Sequence, residues 1–276
     1  ALNFHIEVES VVRNACWVIT HLATDPVNRR LVGRQGCGEL LLRVLNSHQQ
    51  DLALLELVLG AMINLIDHDQ VNSMALFNGQ VVAQMAALFE TFACLQRDQH
   101  YVLCNLLCMV TINLTEASNV SAENTVIITA IGKTSIMRSL LTILGKLSAA
   151  PSSRHHTSAA SVPDTLATIL MKQGCWVLKN LTMQHPINSS TLGEVGASTT
   201  LVPVINSYIQ NKNPEVVEIA CAVLVSLLTV DMANYAADIC NENPCGTNNL
   251  LLLTDAGGFD VAIQTLFAFM ASRHTS

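Results

Sequence analysis

Apolar residues recur along this chain in long stretches spaced three and four apart, and five of these stretches close on a polar residue followed by leucine. The pairs are His21-Leu22, Asn64-Leu65, Asn113-Leu114, Asn180-Leu181 and Ser226-Leu227. Behind them lie Val11, Val12, Ala15, Cys16, Val18 and Ile19 in the first stretch, and Leu54, Leu55, Val58, Leu59, Ala61, Met62 and Ile63 in the second. Val102, Leu103, Leu106, Leu107 and Val110 make the third; Leu166, Ile169, Leu170, Cys175, Val177 and Leu178 the fourth; Val216, Val217, Ile219, Ala220, Val223 and Leu224 the fifth. Each stretch is too long and too continuous for a strand, so the pattern predicts helices. Apolar residues on more than one side predict helices packed between neighbours.

A polar break follows each pair, as at Thr24-Asp25-Pro26, Asp67-His68-Asp69 and Gln184-His185-Pro186. The break predicts a helix end and then a short helix, with Pro26 and Pro186 at its start, where the missing amide hydrogen has no partner to lose. Glycines follow at Gly36, Gly79, Gly132, Gly196 and Gly257, and each is expected to end the short helix with a sharp turn. A second amphipathic helix comes next, for example Glu39 to Leu45 or Val81 to Phe92. Three helices per unit, recurring at roughly 40 to 50 residues with one longer gap, is the pattern of a stacked helical repeat. Such arrays build surfaces and predict binding before chemistry.

Two segments interrupt the period. Ala149 to Pro163 is small, polar and unpatterned and is expected to be a mobile loop. Asn234 to Asn249 is expected to be an ordered excursion in the last unit, turning at Pro244 to Gly246. The predicted units are then 1–48, 49–96, 97–148, 164–211 and 212–274, within a single domain 1–276.

The residues quoted above resemble the armadillo repeats, most closely those of the importin-alpha and beta-catenin type. Arg13 to Leu22 and Gly174 to Leu181 resemble the long third helix of such a repeat, in which a Trp stands four residues before an Asn. Gly36 to Leu45 resembles the glycine turn and the helix after it. The resemblance covers nearly the whole chain and implies an all-α, right-handed superhelical solenoid of about five three-helix repeats. It also implies a concave face lined by third helices, whose Asn side chains hydrogen-bond the backbone of an extended peptide. An amide carries both donor and acceptor and serves that task whatever the peptide's side chains. Asn64, Asn113 and Asn180 match the position, while His21 and Ser226 depart from it. Trp176 pairs with Asn180 as the family pattern requires, and Trp17 pairs with His21 in altered form. The other Trp positions hold Gly60, Met109 and Ala222, and one turn back stand Arg13, Glu56, Asn105, Lys172 and Glu218, of both signs. A carrier of basic nuclear signals needs several Trp and Asn pairs and an acidic lining, so this set argues against that specialised role.

Composition narrows the picture further. Half of the residues are hydrophobic and 13% are charged, against about 25% in ordinary soluble domains, so the surface is poor in charge. Net charge is −7 without any Lys or Arg run, which leaves phosphate-backbone binding without its basic stripe, and no nucleic acid is expected. Nine cysteines, at positions 16, 37, 94, 104, 108, 175, 221, 240 and 245, fall mostly within apolar helices without repeated pairing. They read as small buried hydrophobes in a reducing compartment, cytoplasmic by expectation, with the nucleus or an organelle matrix as alternatives. No apolar run is long enough for a membrane span, and no amino-terminal targeting segment is visible.

Candidate chemistry changes this little. Cys104 and Cys108 lie four apart without a matching second pair, and Cys240, Cys245, His155 and His156 have no established metal spacing, so no metal or cofactor is expected. Asp67-His68-Asp69 reads as a helix end capped by Asp69. The glycosylation-type triplets at Asn113, Asn119, Asn180 and Asn188 are read as structural, two of them being the helix-end signature itself. No nucleophile elbow or phosphate loop appears, so neither an enzyme nor a small-molecule substrate is expected. The expected function is a protein-binding scaffold or adaptor that holds an extended segment with Asn64, Asn113, Asn180, Trp17, Trp176, His21, Ser226 and Asn105. The alternative is a structural spacer in a large assembly, using a charge-poor convex or lateral face.

Overall fold

A computed structural model of the chain describes residues 5–116, 122–149, 164–183, 185–211, 213–241, 253–258, 260–262 and 265. Every regular element among them is a helix. The first nine are α1 (Glu9–Leu22), α2 (Pro26–Arg34), α3 (Cys37–Ser47), α4 (Leu52–Ile66), α5 (Gln70–Asn78), α6 (Val81–Phe92), α7 (Asp98–Glu116), α8 (Ala122–Gly132) and α9 (Ile136–Ala149). Then follow α10 (Asp164–Thr182), α11 (Pro186–Glu194), α12 (Ala197–Gln210) and α13 (Pro214–Asn241). They belong to two compact units, Ala1–Ile136 and Met137–Ser276.

In the first unit α4 packs against α1 on one side and α7 on the other. Leu54, Val58, Ala61 and Leu65 of α4 are fully buried, as are Leu103, Leu107, Val110 and Leu114 of α7. A fully buried leucine stabilises a fold by about 1.5 to 3 kcal/mol, so Leu65 and Leu114 near the ends of α4 and α7 are major anchors, whereas Leu22 at the end of α1 is 42% exposed. In the second unit α13 packs against α10, α11 and α12, and Leu181 and Leu227 are buried in the same way. Gly174 of α10 leaves the space that the Leu144 side chain fills, since a Cβ there would stand 2.9 Å from the Leu144 Cδ2.

The polar breaks work as caps. Asp25 accepts hydrogen bonds from the amides of Val27 and Asn28, and Asp69 accepts one from Asn72. At α11 the cap is His185, whose Nδ1 accepts from the Asn188 amide at 3.3 Å. Each cap satisfies one of the four amides that open a helix without partners.

Two expectations from the sequence need correction. Gly36 and Gly196 do turn the chain left-handed, with φ of 78° and 91°, but at the second break the left-handed residue is Gln80 (φ 69°), while Gly79 has φ −76°. Gly79 is small for a packing reason: a Cβ on it would stand 2.5 Å from the Leu42 Cδ1 of α3. The second correction concerns the last unit. No break follows Leu227; α13 runs on to Asn241, so the first half of the expected excursion is helix. From Leu228 to Cys240 there is no Pro and no Gly, and nothing local stops helix propagation. The rest of that segment, and residues 150–163 of the expected loop, lie outside the described residues.

Candidate partner-binding surface

In the first unit α1, α4 and α7 bring the sequence-predicted row into one series. Trp17 is exposed, and its ring packs over the His21 imidazole with centroids 4.0 Å apart. The His21 Nδ1 lies 2.8 Å from the Trp17 carbonyl, and since a carbonyl only accepts, Nδ1 carries the hydrogen. His21 is thereby turned back on its own helix. Asn64 and Asn113 behave differently, because each reaches across to the preceding long helix. The Asn64 Nδ2 donates to the Thr20 carbonyl at 3.0 Å, and the Asn113 Nδ2 donates to the Ile63 carbonyl at 3.2 Å. Both side chains stay half-buried. One amide hydrogen of each therefore ties neighbouring helices, while the Oδ1 retains its capacity to accept.

Between these positions the row is open and uncharged. A Cβ on Gly60 would meet nothing within 4 Å. The Asn105 Nδ2 lies 3.9 Å from the Met109 Sδ, and its Oδ1 is buried without a hydrogen-bond partner among the described residues. The nearby Arg13 is paired within the protein. Arg13 meets Glu9 at 2.6 Å and Asp51 at 3.5 Å, and burial raises the Glu56 carboxyl above its ordinary pKa.

In the second unit Trp176 and Asn180 are half-buried on α10, and the Lys179 Nζ stands 5.3 Å from the Trp176 ring centroid, within cation-π range. Lys172 is held by Glu215 at 2.5 Å. Ser226 does not take the role predicted for it. It is buried, its hydroxyl shares a 2.6 Å hydrogen bond with the Thr182 hydroxyl, and it lies 2.7 Å from the Val223 carbonyl. A small hydroxyl fits between packed helices, where the bulkier amide of Asn would not.

Three groups of residues escaped sequence reasoning. Arg29 is buried on α2 and joins the ends of two long helices: its Nε donates to the Ala23 carbonyl at 2.8 Å and its Nη1 to the Asp67 carbonyl, with an ion pair to the Asp67 carboxylate at 3.0 Å. A cation at helix C-termini is favoured by the helix dipole as well. Asn72 and Asn188 form the second group, each buried at the third position of a short helix. Their Nδ2 atoms donate to the Leu65 and Leu181 carbonyls at 2.9 and 2.8 Å, fastening the short helix to the end of the long one. A motif could have found them: Asp25-Pro-Val-Asn28, Asp69-Gln-Val-Asn72 and His185-Pro-Ile-Asn188 repeat the same pattern of cap and amide. Thr182, the partner of Ser226, is the third.

The thiols of Cys16, Cys104 and Cys175 are free and buried, and Cys108 is buried with them. Burial pushes Cys16 up to about 11 and Cys104 and Cys175 up to about 12, which leaves them protonated and inert as nucleophiles. No single helix among the described residues is long and apolar enough to cross a membrane. No family model, curated protein or solved structure matches the chain.

Proposed function

We propose that this chain is a non-enzymatic protein-binding scaffold of armadillo type, which holds an extended partner segment along its row of long-helix side chains. The observation that carries this reading is made in each unit by itself: in the first, half-buried Asn64 and Asn113 stand with an open position at Gly60 and the exposed ring of Trp17, and in the second, half-buried Asn180 shares α10 with Trp176. Nδ2 bonds to the neighbouring helix hold Asn64 and Asn113 in place and leave each Oδ1 to accept a peptide amide. A held acceptor binds with less loss of side-chain freedom than a mobile one. The nearby Arg13 and Lys172 are already paired, so selection rests on peptide backbone and apolar packing rather than on charge. The buried free thiols fit a reducing compartment.

A second reading, a spacer held by its lateral surface, has one observation in its favour. Val27, Val71 and Ile187 occupy the same position of three short helices and are all exposed. One experiment separates the two. The chain is presented to a displayed library of short unstructured peptides, and selected binders are measured against variants. On the groove reading, Asn180→Ala with Trp176→Ala weakens binding at least tenfold, about 1.4 kcal/mol, while Val71→Glu leaves it unchanged. Loss on Val71→Glu alone supports the lateral face, and a library that yields no binder overturns the groove.

A further inference from the structure

The loop that joins α6 to α7, residues 93–97, carries Cys94, and Leu95 beside it holds a left-handed φ of 50°. Two backbone bonds shape the loop, from the Leu95 amide to the Phe92 carbonyl and from the His100 amide to the Arg97 carbonyl, each 3.0 Å. The half-buried Cys94 thiol is thereby laid against the first turn of α7, where its Sγ stands 3.5 Å from the His100 Nδ1, within hydrogen-bond reach of sulfur. The imidazole is buried, and the Phe92 ring packs on it with centroids 5.3 Å apart. A base held against a thiol that solvent can reach is the arrangement that makes a cysteine reactive, because the thiolate is the nucleophile.

The surroundings sort this thiol from the others. Cys104 lies one turn beyond His100 on the same helix, yet it is fully buried, and burial pushes it up to about 12. Burial also raises the half-buried Cys37 and Cys221. Among the described residues none of these three has a hydrogen bond to an imidazole. Burial, helped by the exposed Arg97, holds the His100 pKa below the ordinary 6.5, so the ring is neutral near neutral pH and keeps one acceptor nitrogen. With the ring hydrogen on Nε2, Nδ1 accepts the thiol proton. With it on Nδ1, the ring donates to the sulfur while the thiol donates to the Thr91 carbonyl, 3.5 Å away. Both arrangements favour negative charge on the sulfur, as does the nearby Arg97 cation.

We infer that Cys94 and His100 form a reactive thiol site, at which Cys94 exchanges with small disulfides of the glutathione class. His100 takes the Cys94 proton and the sulfur attacks one sulfur of the disulfide. A new S–S bond to Cys94 forms as the old one breaks, and the departing thiolate takes the proton from His100. One small disulfide is consumed, and one mixed disulfide and one free thiol are made, with no further oxidant. The site is independent of the row proposed to hold a peptide, so either can fail without the other.

The folded full chain treated with glutathione disulfide tests it, with the modified cysteines located over time by mass spectrometry of peptides. Cys94 is expected to be modified faster than Cys16, Cys37, Cys104, Cys175 and Cys221, by about tenfold or more. His100→Gln is expected to slow Cys94 by about tenfold or more while leaving Cys37 unchanged. The inference is overturned if another of those five cysteines leads, or if Cys94 reacts in the His100→Gln chain at the natural rate. Buried Cys16 and Cys104 report whether the variant stays folded. Should they become reactive in it, the order of modification in the natural chain decides: Cys94 first supports the site, and any of the other five first overturns it.

Discussion

Gly33 and Asn72 occupy one space: a Cβ on Gly33 of α2 would sit on the Asn72 Oδ1. The glycine lets Asn72 enter between helices, where its Nδ2 reaches the Leu65 carbonyl at 2.9 Å and the Arg29 carbonyl at 3.3 Å. Alanine inside a helix is ordinarily better than glycine by about 0.8 to 1 kcal/mol. Here the sign reverses, because Gly33→Ala expels a buried amide and takes the Asn72 donor from the Leu65 carbonyl, at about 1 to 3 kcal/mol. Denaturant unfolding of Gly33→Ala, Asn72→Ala and the double variant checks this, with the double variant expected to be less destabilised than the sum of the two.

At the second turn the expectation runs opposite for adjacent residues. Gln80 holds a left-handed φ of 69°, a conformation that costs a side-chain-bearing residue about 1 to 2 kcal/mol, so Gln80→Gly should be neutral or stabilising by up to about 1 kcal/mol. Gly79→Ala should be destabilising by about 1 to 3 kcal/mol, because it meets Leu42 in a packed site. Thermal melts of the two variants should move in opposite directions, and a loss of stability in Gln80→Gly would contradict the assignment.

His185 gives the second unit an acid-sensitive cap. Burial, partly offset by a backbone hydrogen bond, holds its pKa below the ordinary 6.5. The neutral ring accepts the Asn188 amide, and protonation would turn that acceptor into a donor. Because the folded value is lowered, the cap's contribution is complete above about pH 6.5 and is lost as pH falls below it through the lowered folded value. His185→Asp places at α11 the residue type that caps α2 and α5, and it should keep the contribution down to about pH 4. Melting temperature followed from pH 8 to 4.5 should fall more steeply for the natural chain than for this variant.

Restoring the consensus at Ser226 should do harm. Ser226→Asn inserts a larger amide into a buried site and breaks the hydroxyl pair with Thr182, which together are expected to cost about 1 to 3 kcal/mol. Ser226→Ala should cost about 1 kcal/mol, as one hydrogen bond does. Denaturation midpoints rank the two, and an Asn variant as stable as the natural chain would show that the site can open.

Helix type and order were legible in the sequence because the three-and-four spacing of residues such as Leu54, Val58, Ala61 and Leu65 is itself the packing surface. Caps were legible where Asp or Pro marks them, at Asp25, Pro26 and Asp69. What escaped depends on atoms brought in from another helix. That Gly79 must stay small depends on Leu42, nearly forty residues earlier, while the left-handed turn falls on Gln80. Register put Ser226 level with Asn180 but carried no information on how tightly α10 and α13 close there. Likewise Asn64 and Asn113 fell on the expected row, while the direction of their amides toward Thr20 and Ile63 depends on the rotation of the helix before each.

The bonds Asn64 to Thr20 and Asn113 to Ile63 each join a long helix to the one immediately before it. In the first unit α4 is therefore held from both sides, whereas among the described residues of that unit α1 packs against one other long helix. Amide hydrogens should exchange with solvent more slowly in α4 than in α1 or α7, so that the middle helix of the three opens last and a break in one helix is passed to its neighbour before it reaches the rest.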